Sequence, residues 1–236
     1  MRHRLIPLLA VVTLAATTAA CEGRTSGTLT TGPTSGARVR LVNALTSSPS
    51  VDLVVDGLVS FTGVAFGGAS PYASLTLASH RMQARATTTG TTLVDFTRDL
   101  NTEGSFSFIP APGLSQFGAL FIADDLTPVS GQGKLRVVHV AAAPGAISVY
   151  LTSPTADLSS ATAQIPLLPF GVASPYVTVA PGTYRVRVTA AGNPSTVLID
   201  LGNLVVASGT VRTLLVTDAP GGGGLPPAIS VVSDVN

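Results

Sequence analysis

Residues Phe66–Tyr72 read FGGASPY, and Phe170–Tyr176 read FGVASPY, with only Gly68 exchanged for Val172. A phrase spelled twice in one chain points to an internal repeat. Working outward from it, RVRLVN (Arg38–Asn43) lies over LRVVH (Leu135–His139), which matches Arg40 with Arg136 and Asn43 with His139. PSVDLVV from Pro49 falls beside PGAISVYL from Pro144, and HRMQARA from His80 beside YRVRVTA from Tyr184. TTLVDF from Thr91 falls beside STVLIDL from Ser195, and ALFIAD from Ala119 beside TLLVTD from Thr213. This alignment predicts two modules, residues 37–132 and 133–236, and makes Ser105 to Gln116 an insertion in the first.

The runs within each module are short and several alternate. In Tyr184–Val188, Tyr184, Val186 and Val188 share one face while Arg185 and Arg187 take the other, the period of a half-buried strand. Asp56-Gly57 marks a hairpin turn and Ala180-Pro181-Gly182 a second. With about seven strands expected per module, the fold class is all-β, two tandem immunoglobulin-like antiparallel β-sandwich domains. The arginines at 38, 40, 81, 85, 136, 185 and 187 alternate with apolar residues, which predicts that they project from exposed sheet faces.

The repeated phrase suits a strand entry. Gly67 and Gly171 supply backbone angles closed to other residues, and Pro71 and Pro175 favour an extended chain. Phe66, Tyr72, Phe170 and Tyr176 supply aromatic packing at the corner, and Ser70 and Ser174 complete the motif. These ten residues are expected to be structural; a ligand-binding loop is the sharper alternative.

The paired RVRLVN and LRVVH openings, PSVDLVVDG of Pro49–Gly57, the F-G-x-x-S-x-Y phrase and APGTYRVRV of Ala180–Val188 resemble the bacterial family called domain of unknown function 4397. The resemblance covers about residues 37 to 218. It implies a secreted or envelope-attached β module, and no activity comes with it.

The ends of the chain carry a separate message. MRHR, an apolar run from Leu5 and then TTAAC have the order of a secretory leader, residues 1–20. Cys21 is the only cysteine, so it has no partner within the chain for a disulfide. Thr18-Ala19-Ala20-Cys21 resembles a bacterial lipobox, which implies lipidation at Cys21; cleavage to a soluble secreted protein is the alternative. Residues 21–36, rich in Gly, Ser and Thr, are expected to be a flexible lipid-anchored tether, and Glu22 after the cysteine favours the outer membrane. The expected location is the cell envelope, facing periplasm or surface.

Composition narrows the function. Hydrophobic residues make up 45% of the chain and charged residues 11%, with a formal net charge of +1. Lys134 is the only lysine, and no basic cluster of the kind that displaces nucleic-acid counterions is present. Beyond the leader, His80 and His139 stand outside any metal-ligand spacing, and neither a GxSxG elbow nor a phosphate loop occurs. Asp52 with Asp56, Asp95 with Asp99 and Asp124 with Asp125 are the candidate acid/base or calcium groups; turn and strand-end positions account for Asp56 and for Asp124-Asp125. The absence of Trp argues against a sugar-stacking platform.

The expectation is therefore a non-catalytic binding, adhesion or scaffolding protein with no catalytic residue, metal or cofactor. Its partners are the membrane, through the anchor, and an envelope protein or glycan. The alternatives are an enzyme or accessory protein acting on envelope polysaccharide, and a binding module whose Gly104 to Gly118 loop forms the contact surface.

Overall fold

Alternating apolar residues decide the elements. Val51, Leu53 and Val55 point one way and are buried, whereas Asp52 between them is partly exposed. The computed structural model describes residues 36–114, 118–220 and 225–235, and among them every regular element is a strand. Residues 1–35, which hold the expected leader, Cys21 and almost all of the expected tether, lie outside the described residues. The first half supplies β1 (Ala37–Leu41), β2 (Ser50–Val55), β3 (Leu58–Ala65), β4 (Ala73–Leu75), β5 (Ser79–Ala86), β6 (Thr92–Asp99), β7 (Gly104–Pro110) and β8 (Ala119–Asp124). The second supplies β9 (Gly133–Val140), β10 (Ile147–Thr152), β11 (Ile165–Leu168), β12 (Val172–Ala173), β13 (Val177–Val179), β14 (Gly182–Ala190), β15 (Val197–Val206), β16 (Val211–Thr217) and β17 (Ala228–Val235).

In the first half the sheet β4-β1-β7-β8 faces the sheet β3-β2-β5-β6 across a core that includes Val39, Leu41, Leu53, Met82, Phe96 and Phe108. In the second, β12-β9-β16-β17, with β13 also on β9, faces β11-β10-β14-β15 across Leu135, Val137, Val149, Val188 and Leu214. The class is all-β and sandwich-like, as the strand periods predict. One pair in each half is parallel, β1 with β7 and β9 with β16. A parallel pair needs a long crossover, and here the chain passes through the opposite sheet between the two strands.

Two faces meet that a single sandwich would leave wet. β9 is buried along its whole length, on both faces, as happens when a sheet is covered on both sides. Its outer face packs against the outer face of the β1 sheet, burying Val42, Ile109, Val138, Val140, Leu215 and Val232 in a third cluster. The described residues accordingly form one compact unit.

Four expectations are corrected here. Ser105 to Gln116 is not an insertion or a contact loop at its start: β7 is a core strand between β1 and β8, with Phe108 and Ile109 fully buried. ALFIAD is the partner of AISVVSDV rather than of TLLVTD, because β8 and β17 are the strands paired to β7 and β16. Ala180-Pro181 crosses between sheets rather than closing a hairpin, since β13 pairs with β9 and β14 with β10. Of the arginines expected on exposed faces, Arg40 and Arg136 are buried at 2% exposure because their sheet face lies against the other sandwich, and Arg187 is buried too, donating to Thr152 and the Ala156 carbonyl. The Asp56-Gly57 turn is as expected, with φ of 51° and 82°, the mirror-image turn that matches strand twist.

Candidate functional site

The repeated phrase does the same thing twice. Gly67 and Gly171 both have φ of 75°, and their amides donate to the carbonyls of Asn43 and His139, each at 2.8 Å. Ser70 Oγ accepts from the Leu41 amide at 3.0 Å and donates to the Pro71 carbonyl at 2.7 Å. Ser174 Oγ accepts from the Val137 amide at 2.9 Å and donates to the Pro175 carbonyl at 2.8 Å. Proline has no N–H, so at these positions the serine hydroxyl satisfies strand groups that a regular ladder would have paired. The phrase thus docks beside the first strand of each half and delivers Tyr72 and Tyr176 to the seam between the sandwiches.

There the tyrosine rings cover the matched arginines, with Arg40 5.0 Å from the Tyr72 centroid and Arg136 4.9 Å from that of Tyr176. Arg40 Nε donates to Ser107 Oγ at 2.8 Å and its terminal nitrogen to Asp234 Oδ1 at 2.6 Å. Arg136 repeats the pattern, with Nε donating to Thr213 Oγ1 at 2.9 Å and a terminal nitrogen to Asp124 Oδ1. Ser107 and Thr213 in turn donate to Asp124 and Asp234, each at 2.7 Å. Each arginine therefore binds a hydroxyl of its own sandwich and a carboxylate of the other.

Burial opposes the Arg40 charge, but Asp234 and Asp124 more than offset it and raise its pKa. Burial likewise pushes both tyrosine hydroxyls up. The two halves differ at the tyrosines: Tyr72 donates to Asp124 Oδ2 at 2.6 Å, whereas the buried Tyr176 hydroxyl has no partner among the described residues. Asp124 and Asp234 have no side-chain exposure, so this pair acts as counter-ions to arginine and presents no surface to a substrate.

The remaining sequence candidates are dispersed. His80 Nδ1 bonds Asp56 at 2.7 Å; burial alone would lower its pKa, and Asp56 with the Thr76 carbonyl raises it overall. His139 is fully buried with Nε2 2.6 Å from the Gly145 carbonyl, and burial lowers its pKa. Asp52 accepts from Gly63 N and Thr87 Oγ1, and Asp125 pairs with Lys134 at 2.8 Å. Asp95 meets Arg81 at 2.5 Å, and Asp200 pairs with Arg185 at the matching register on the other outer sheet. No group of three metal-ligating side chains occurs among the described residues.

A concavity lies elsewhere. A cavity of about 540 Å³ opens between the edges of β6 and β8, lined by Phe96, Arg98, Leu114, Ala119, Phe121 and Phe170 among others. Arg98 sits at its rim with its guanidinium 5.4 Å from the Phe121 centroid. Of the lining residues, the sequence marks Phe170 and Gly171 through the repeated phrase and Gly113 and Leu114 through the Gly104 to Gly118 stretch, while the rim arginine and Phe96 carry no motif.

No curated protein matches the chain. Among solved structures, the C-terminal domain of AlgF from P. aeruginosa is 18% identical, with 44% of this chain and 99% of that one covered and a TM-score of 0.33. CBMbc, a family CBM26 module of Eubacterium rectale Amy13K solved in complex with maltoheptaose, is 12% identical, with 83% of this chain and 95% of that one covered and a TM-score of 0.26. Residues 37–150 match the family model described as Domain of unknown function (DUF4397), the same family that the sequence motifs resemble.

Proposed function

We propose that the chain is an exported cell-envelope lipoprotein, anchored through Cys21, that serves as a non-catalytic binding or scaffolding module built from two copies of the family's domain. One observation carries the reading: the buried Arg40, Asp124, Arg136 and Asp234 set locks the halves back to back. The outward faces of β3-β2-β5-β6 and β11-β10-β14-β15 are left as matched surfaces, each bearing an exposed Arg–Asp pair. A rigid body with two equivalent outer faces suits presentation to a partner. The repetition of strand pairing supports the second copy, since β9-β16 and β10-β14 repeat the registers of β1-β7 and β2-β5.

The experiment is intact-mass spectrometry of the protein from membrane and soluble fractions of its host, beside a Cys21→Ala variant. An N-terminus at Cys21 bearing acyl mass, lost in the variant, supports the anchor. An unmodified soluble chain overturns it, and release of sugar from purified envelope polysaccharide by the chain overturns the non-catalytic reading.

A further inference from the structure

The two halves serve as controls for each other. By strand register, Arg98 stands where the second half has Leu204: His80 pairs with Arg98 as Tyr184 pairs with Leu204. Ala119 stands where the second half has Ile229, since Pro110 pairs with Ala119 as Val216 pairs with Ile229. In the second half Leu204 is buried and Ile229 packs on the core, while β15 reaches across to β17 and closes that side of the sandwich. In the first half one apolar side chain has become a cation and the other has shrunk to a methyl group. The corresponding gap is the cavity of about 540 Å³.

Its chemistry is specific. Phe96, Phe121, Phe170, Leu114 and Leu120 give one apolar wall, Thr97, Arg98 and backbone groups make the rest polar, and the volume is within the roughly 300–1,000 Å³ of small-molecule sites. Arg98, like Arg38, Arg85, Arg187 and Arg212, has no carboxylate partner among the described residues, and of these five it is the one that lines the cavity. A guanidinium held over an aromatic ring at the rim of a cavity with one apolar wall attracts an anion whose other end is apolar. Charge complementarity and the shape of the gap together select one occupant.

We infer that this cavity is a binding site for a small amphiphilic carboxylate, its acyl or aromatic end between Phe96, Phe121 and Phe170 and its carboxylate on Arg98. The site is independent of whatever the outer sheets bind. The natural ligand is then a medium-chain or aromatic acid rather than a neutral lipid or a cation.

The test uses the mature chain with Cys21→Ala, so that no acyl group of its own competes. Octanoate and octanol are titrated in parallel while backbone amide shifts are followed by NMR. Saturable octanoate binding that moves Thr97, Leu120 and Gly171, at least about tenfold tighter than octanol, is the expected result. Arg98→Gln is expected to abolish that preference and leave octanol binding unchanged. Ala119→Ile, which copies the second half, is expected to remove both by filling the space, with an unchanged spectrum elsewhere reporting an intact fold. Failure of octanoate to saturate the wild-type chain overturns the site, as does equal affinity for the acid and the alcohol. Retention of octanoate binding by a folded Ala119→Ile variant overturns its placement.

Discussion

Arg40 donates to Asp234 at 2.6 Å, a contact that joins the first strand of the fold to its last. Both side chains are buried, so each depends on the other for its charge to be tolerated. Arg40→Met leaves Asp234 with Thr213 alone and is expected to cost about 3–5 kcal/mol. Adding Asp234→Leu removes the stranded charge, so the double variant should be more stable than Arg40→Met by itself. Urea denaturation of the three proteins checks this, and equal midpoints for single and double variants would contradict it.

The tyrosines of the repeated phrase separate a hydrogen bond from a ring contact. Tyr72→Phe loses a bond to a carboxylate, expected to cost about 1.5–3 kcal/mol. Tyr176→Phe removes a buried hydroxyl with no partner among the described residues and is expected to cost nothing. Both variants keep the ring over its arginine, so the difference in urea midpoint isolates the hydroxyl.

Much of this was legible from the phrase outward. The pairs Arg40 with Arg136, Asn43 with His139 and Gly67 with Gly171 occupy equivalent positions, because glycine conformation and a serine beside proline constrain sequence tightly. The last third of the repeat was not legible. SFSFIP and VRTLLV share a burial pattern but no identity, so sequence comparison makes the strand containing Ser107 an insertion and does not reveal its match to Thr213. Alternation placed Arg40 on the face opposite Val39, which is correct, but a period of two cannot say whether that face meets water or another sheet. The cavity was invisible for a related reason: it is defined by what Ala119 and Arg98 lack relative to Ile229 and Leu204, and that comparison needs the register.

Stability should fall in mild acid through His139. Burial holds its pKa below the ordinary histidine value, so the folded state keeps it neutral while the unfolded chain takes up a proton near pH 6.5. Its contribution is complete above about pH 6.5 and is lost as the pH falls toward the folded value. His80 has the opposite sign: its raised pKa gives a contribution that is full below about pH 6.5 and lost as the pH rises through the folded value. His139→Asn, which copies Asn43, should therefore reduce the loss on going from pH 7.5 to 5.5 relative to wild type. An unchanged pH slope of the unfolding free energy would show that His139 takes up its proton alike in the folded and unfolded states.

Gly57 and Gly67 both have positive φ but differ in what a side chain would meet. At Gly57 nothing lies within 4 Å of an added Cβ, so Gly57→Ala carries only the backbone cost of about 1–2 kcal/mol. At Gly67 the added atom would lie 2.3 Å from Ser230 Oγ and 3.1 Å from its Cβ, on β17 of the other sandwich. Gly67→Ala should therefore cost more than Gly57→Ala by about 1–3 kcal/mol, as overpacking does. Ser230→Gly in the same chain removes both clashing atoms and should bring the cost of Gly67→Ala back toward that of Gly57→Ala. If Gly67→Ala is no worse than Gly57→Ala, or Ser230→Gly brings no relief, the phrase does not press against the second sandwich and the seam is looser than the buried arginines require.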